Sequence, residues 1–189
     1  MNVPINSKEC KVAFIGTGYM AAEHIKVFSD VPGVKLSGLY GRTHRRAEKI
    51  GNTFGVDVIS SSIQDLYEKT RADLVVVAVS ELSVSEVCSL CFEYPWTVLI
   101  EKPAGYNVSE AEMIDCMADK KGCNVYVGLN RRHYGSTRTV LQDIERLEGP
   151  RLIKVQDQED TVAALESGKP KLVVDNWIYA NSIHVIDYI

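Results

Sequence analysis

Near the N-terminus a short apolar run, Val12 to Ile15, leads into Gly16-Thr-Gly-Tyr-Met-Ala21 and then into an amphipathic segment that reaches about Ser29. That order reads as a buried strand, a tight turn and the first turn of a helix. Gly16 lets the chain reverse, Gly18 lets backbone approach a pyrophosphate, and Ala21 lets the helix pack on the sheet. The unpaired amides at the helix N-terminus then face the phosphates. A G-x-G-x-x-A pattern is weak alone, because a glycine turn also saves space. With a strand before it and a helix after it, the pattern predicts a dinucleotide site built from Gly16, Thr17, Gly18, Tyr19, Met20 and Ala21.

The chain beyond this point keeps the same rhythm. Pro32-Gly33 marks a turn, and Val34 to Tyr40 reads as a second strand. Thr43 has the chemistry of an N-cap for a helix from Arg45 to Phe54, which Gly55 ends. Val56 to Ile59 is a short strand, and Ser60-Ser-Ser opens a helix with Ile63, Leu66 and Tyr67 on its apolar face. Ala72 to Val79 is a continuous β-branched run, as expected for a strand covered on both faces. Ser83 to Tyr94 reads as helix and Trp96 to Ile100 as strand, followed by Glu101-Lys-Pro103. Ser109 is the expected cap of a helix that runs to about Lys121, and Asn124 to Gly128 gives one more strand. Strand and helix alternate from Lys11 to Gly128, which predicts an α/β fold with a doubly wound parallel sheet.

After Gly128 the alternation stops. Asn130 to Tyr134 reads as a polar link, Thr137 to Leu147 as helix, Arg151 to Asp157 as a strand of mixed polarity, and Glu159 to Lys171 as loop. Asn181 or Ser182 starts a helix with Ile183, Ile186 and Ile189 on one face. Two turns with so little around them cannot bury that stripe well. The expected organisation is a Rossmann dinucleotide-binding domain over residues 1–128, then an incomplete α+β second domain over 129–189.

Composition limits the partners. Of 189 residues, 46% are hydrophobic, enough for a packed core, and the net charge of -4 gives no reason to expect nucleic acid or an acidic membrane. The N-terminus has no apolar signal core and no run is long enough to span a bilayer, so the cytosol is the expected compartment. Five cysteines at irregular spacing argue against a disulfide framework. Cys88 and Cys91 form a C-x-x-C, which invites a redox or metal reading. They fall on a helical pattern without a second such pair to complete a zinc site, so two small core residues on one helix face is the better reading, and no metal is expected.

Two further stretches carry chemistry. An acidic residue about 20 positions after the glycines binds the ribose 2′-hydroxyl in NAD-binding folds. Here the second strand ends in Tyr40-Gly-Arg-Thr43, without Asp or Glu. A neutral Gly41 removes repulsion against a 2′-phosphate, and Arg42 and Thr43 can bind one, which favours NADP over NAD. A solvated arginine beside a helix cap is the plainer alternative. Glu101-Lys102-Pro103 follows the fifth strand at its carboxyl end, where open α/β sheets bind ligands. A lysine there can donate a hydrogen bond to a substrate oxygen as a hydride leaves or arrives.

The ordered set of the glycine loop, Glu101-Lys-Pro103, Gly128-Leu-Asn-Arg-Arg132 and His184-Val-Ile-Asp187 resembles the Gfo/Idh/MocA family of oxidoreductases, from about Lys11 to the last residue. The resemblance implies an NAD(P)-dependent enzyme acting on sugars, sugar derivatives or cyclitols. It implies that Lys102 sits between nicotinamide and the reacting carbon, and that His184 is an acid/base group. Glu101 would support the lysine, Asn130 and Arg131 would line the cleft, and Ser80 joins the expected cofactor contacts. Ala180 stands where many members carry an aspartate four residues before the histidine. The stretch Val79 to Val84 lacks the Thr-Pro and later histidine often found there. Family chains continue past this length into a large sheet that floors the substrate pocket and commonly forms the subunit interface, so the full-length form is expected to be a homo-oligomer. A non-catalytic dinucleotide-binding module is the alternative function. Taken alone, His184 also fits a polar residue on an exposed helix face. His24, His44 and His133 read as surface residues, and Asp187 as a brace for its helix. Trp177 and Tyr179 fit either a sugar pocket or core anchors.

Overall fold

The computed structural model describes residues 9–150, 152 and 154–188. Six strands form one sheet: β1 (Cys10–Ile15), β2 (Val34–Tyr40), β3 (Ile59–Ser60), β4 (Leu74–Val77), β5 (Thr97–Ile100) and β6 (Val125–Val127). Every pairing is parallel, in the order β3-β2-β1-β4-β5-β6. The order reverses between β1 and β4, and at such a switch point a crevice opens above the carboxyl ends of the strands.

Five helices cover the two faces: α1 (Tyr19–Ser29), α2 (His44–Phe54), α3 (Ile63–Thr70), α4 (Val84–Cys91) and α5 (Val108–Lys121). Side chains alternate across a strand, and here both sets are buried. Val12, Phe14 and Val76 meet Ile25 of α1 and Ala47 of α2 on one face. Ala13, Ile15, Val75, Val77 and Val98 meet Leu66 of α3, Cys88 of α4 and Ile114 of α5 on the other. The central strands are therefore apolar throughout because neither face sees water. Ser37 on β2 is buried with its hydroxyl donated to the Val12 carbonyl at 2.9 Å, so its polarity is satisfied.

Several local readings are corrected. The cap of α5 is Asn107, whose Oδ1 accepts from the Glu110 amide at 2.9 Å; Ser109 lies inside the first turn. Thr43 occupies the N-cap of α2, but its hydroxyl caps nothing. The third strand is two residues long, Ile59 and Ser60 pairing with Leu39 and Tyr40, while the residues before it meet β2 through separate bonds such as Asp57 N–H to the Leu36 carbonyl at 3.1 Å. Asn130 to His133 winds as one 3-10 turn before α6 (Gly135–Glu145).

Among the described residues, Leu152 and 154–160 form no strand, since no backbone hydrogen bond ties them to another strand; Arg151 and Ile153 lie outside the described residues. The stretch read as loop instead contains α7 (Thr161–Glu166) and the start of α8 (Lys171–Asp175), followed by α9 (Trp177–Ala180) and α10 (Ile183–Ile186). Asp160 caps α7 by accepting from the Ala163 amide at 2.9 Å. Ile186 on α10 is largely exposed, and Ile189 of the expected stripe lies outside the described residues, as do the N-terminal residues 1–8. No helix among the described residues is long and apolar enough to cross a membrane.

Candidate functional site

The turn after β1 is fixed by close packing. Gly16 has φ of +127°, and a Cβ there would stand 2.0 Å from the Ala78 carbonyl oxygen, so the turn lies directly against the end of β4. Only glycine satisfies both conditions. Gly18 then takes the N-cap position of α1 with no side-chain cap, and no acidic residue occupies the first turn. The first amides of α1 are thus left for an anion, with the positive end of the helix dipole behind them. No chain atom lies within 4 Å of a Cβ at Gly18, which leaves that approach open. These features fit the pyrophosphate of a dinucleotide. Ala21 is fully buried under the turn and does not reach the opening.

A cavity of about 850 Å³ opens over the carboxyl ends of β1, β2, β4 and β5. Its walls include Gly16, Thr17, Gly18, Tyr19 and Met20 from the turn, Arg42 and Thr43 after β2, and Ser80 after β4. Glu101, Lys102, Asn130, Arg131 and His184 line it as well. The cavity thus brings together every residue expected to bind cofactor or act as a catalytic group except Ala21. At Gly41 a Cβ would meet the Thr17 methyl group at 2.3 Å, so a side chain at that position has no room without displacing Thr17. An acid capable of binding a ribose hydroxyl is therefore sterically disfavoured there.

Charge is unevenly distributed along the wall. Burial, reinforced by Arg131 and Lys169 against the pull of Glu101 and Glu81, holds Lys102 below the usual lysine range. Among the described residues its ammonium has no hydrogen-bond or ion-pair partner. His184 is 5% exposed, not on an open face, and burial together with Arg131 and Lys102 holds it below the usual histidine range. Its Nδ1 is buried with no partner among the described residues. Glu101 does not pair with Lys102. Its carboxylate accepts instead from His24 Nε2 at 2.7 Å, so His24 is half-buried rather than a surface residue. An ionised carboxylate only accepts, which assigns the proton to Nε2.

Asp187 braces α10 by accepting from Arg132 Nε at 3.0 Å and from its terminal nitrogen. Trp177 lines the cavity and donates its indole N–H to Glu159 at 3.2 Å, while Tyr179 does not reach it. Arg46, Glu81 and Lys169 also line the cavity, and none was singled out in the sequence. Arg46 lies in the first turn of α2, just after Arg42 and Thr43, so its nearness in sequence could have revealed it. Lys169 carries no local signal at all. Cys88 and Cys91 are fully buried on one face of α4, as their spacing predicts. No cluster of three or more His, Cys, Asp or Glu among the described residues is arranged to hold a metal.

The parallel sheet and the glycine turn define a dinucleotide-binding fold of the Rossmann type. The family described as "Oxidoreductase family, NAD-binding Rossmann fold" (GFO_IDH_MocA) matches residues 10–129, and the chain belongs to it. Among curated relatives, an oxidoreductase of Bacillus subtilis named YrbE, itself uncharacterized, is 20% identical over 81% of this chain and 46% of its own length. The myo-inositol dehydrogenase of Lactobacillus casei, solved with NAD(H) and myo-inositol, superposes with a TM-score of 0.67 at 21% identity, covering 72% of this chain and 41% of that one. The 3-ketoreductase KijD10 of Actinomadura kijaniata, solved with NADP and TDP-benzene, gives 0.65 at 20% identity, covering 72% and 42%. At these identities the two structures show a shared fold. The chain spans less than half the length of these relatives.

Proposed function

We propose that this chain carries the cofactor half of an oxidoreductase acting on a hydroxyl- or keto-bearing carbon of a sugar, sugar derivative or cyclitol. One observation carries the reading: the glycine turn, Lys102 and His184 line a single cavity. The nicotinamide cofactor, when bound, supplies or accepts the hydride. The substrate class rests on family membership and on neighbours named as an inositol dehydrogenase and a 3-ketoreductase. Residues 129–189 are read as the start of the substrate-binding portion, because they contribute His184, Arg131 and Trp177 to the wall.

Lys102 donates a hydrogen bond to the substrate oxygen and stabilises the negative charge that develops there. Burial lowers its pKa and so eases release of its proton. His184, held neutral by burial and the neighbouring cations, accepts or returns the proton. Asn130, Arg131, Ser80 and Tyr19 bound the space into which nicotinamide and substrate fit. NADP(H) is favoured over NAD(H) because Arg42, Thr43 and Arg46 line the far end of the cavity where no acid follows β2.

A dinucleotide-binding module without turnover is the second reading. It is favoured by His184 Nδ1, which is buried without the partner that would orient an acid/base imidazole. Nicotinamide absorbance, followed with a panel of sugars, keto-sugars and cyclitols, separates the two. The enzyme reading expects turnover that falls about 10²- to 10⁴-fold in Lys102→Ala. Undiminished turnover in that variant ends the role of Lys102, and NADPH binding without turnover on any substrate supports the module.

A further inference from the structure

His24 and Glu101 lie 77 positions apart, on α1 and at the end of β5, yet their side chains meet at 2.7 Å. Both are mostly shielded, with side-chain exposures of 19% and 14%. The Glu101 amide donates to the Val77 carbonyl at 2.8 Å, so the strand ladder continues one residue past β5 and fixes the direction of the side chain. Lys102 follows immediately and lines the cavity with no partner of its own among the described residues. A lysine next to a free glutamate in a half-buried wall would normally capture it, because each group is costly to leave unpaired.

We infer that His24 is a positioning residue: by holding the Glu101 carboxylate on the α1 side, it keeps Lys102 out of an ion pair and open to the cavity. The other groups facing Lys102 do not replace that carboxylate. Glu81 is engaged by Lys169 at 2.8 Å. Arg131, Lys169 and His184 are cations or bases and repel an ammonium or leave it alone. The same histidine joins the helix that begins at the glycine turn to the strand that carries the lysine, so the phosphate end and the reacting end of the cavity share one brace. The functional value of this arrangement rests on reading Lys102 as the group that meets the substrate, but the pairing itself is testable without turnover.

The experiment is competitive acetylation of the 189-residue chain across pH, read at Lys102 by mass spectrometry. In His24→Leu the freed carboxylate pairs with Lys102, favours its charged form and raises its titration midpoint. Each unit of rise lowers its reactivity at pH 8 by about tenfold. His24→Gln keeps an N–H donor for Glu101 and restores reactivity to near that of the parent. The double variant His24→Leu/Glu101→Gln has no carboxylate to capture Lys102 and also recovers. If His24→Leu does not fold, His24→Asn, too short to reach Glu101, takes its place. An unchanged midpoint in the folded single variant overturns the inference. So does a loss of reactivity that persists in the double variant, which would mark a general loosening of the wall. Loss of sugar turnover with these midpoints behaving as stated would leave the pairing intact and count only against the proposed reaction.

Discussion

Lys169 Nζ lies 2.8 Å from a Glu81 carboxylate oxygen, joining the turn after α7 to the rim of β4 across 88 positions of sequence. Burial is the largest single influence on Glu81 and opposes its ionisation, but the hydrogen bond from Lys169, a backbone hydrogen bond and the charges of Lys169 and Lys102 together outweigh it and hold the carboxyl below its usual range. A depressed folded pKa contributes stability that is present above the unfolded value, about 4.3, and is lost as pH falls through the folded value. Lys169→Met should therefore lower unfolding stability at pH 7 by about 0.2–1 kcal/mol, as for a partly exposed pair. The deficit should vanish once Glu81 is protonated in both states. Urea unfolding at pH 7 and below pH 4 checks this; an equal deficit at both would assign the effect to packing.

Gly16→Ala meets the Ala78 carbonyl at 2.0 Å in a backbone conformation that side chains rarely adopt. The substitution should cost about 1–3 kcal/mol of stability, from strain that the turn cannot relieve. It should also abolish NADPH binding, since the turn must shift away from β4. Chemical unfolding and fluorescence titration with NADPH test the two effects separately. Unaltered binding would show that the turn does not hold the phosphates.

Discrimination between NADPH and NADH should depend on Arg42. Titration of both cofactors is expected to favour the phosphate-bearing form, and Arg42→Ala should shrink that preference by about tenfold, the loss of one charge-assisted contact. Arg46→Ala should act in the same direction. Equal affinities in the parent chain would remove the 2′-phosphate assignment.

The C-x-x-C pair should be inert in the folded protein. Burial pushes the Cys88 thiol up to about 12 and raises Cys91 well above its ordinary value. At pH 8 roughly one Cys88 in ten thousand is then thiolate. Cys116, which is exposed, should react first with a chromogenic disulfide, and Cys88 and Cys91 only after denaturant is added. Rapid labelling of Cys88 in native conditions would reopen the redox reading.

Much of this was legible along the chain, and the exceptions share a cause. β1, the glycine turn and the apolar run of β4 announce themselves because each is defined by near neighbours: periodicity, a turn and a cap. Cys88 and Cys91 were legible for the same reason. His24 was not, because its partner is set by how α1 lies against β5, and nothing within a few residues of His24 predicts a carboxylate there. Lys169 is hidden in the same way. Asp160 and Pro170 flank a segment too short for helical periodicity to show, so α7 and α8 read as loop. Residues near 151–157 have strand-like composition, but a strand requires an edge to pair with, whereas a helix closes its own hydrogen bonds. Ser109 and Asn107 are both capping residues, and which one caps depends on where the helix starts, by two positions.

The pairing of Val77 opposite Ile100 acts as a reading frame for the chemistry above it. Glu101 extends that ladder by one bond, from its amide to the Val77 carbonyl, and Lys102 is the first residue beyond it. Side chains change face with every residue along a strand, so a chain that gained or lost a single residue within β5 would turn Glu101 away from α1 and out of reach of His24. A change of two residues would restore the face. The contact between His24 and Glu101 thus depends as much on the count of residues along β5 as on the two side chains that make it.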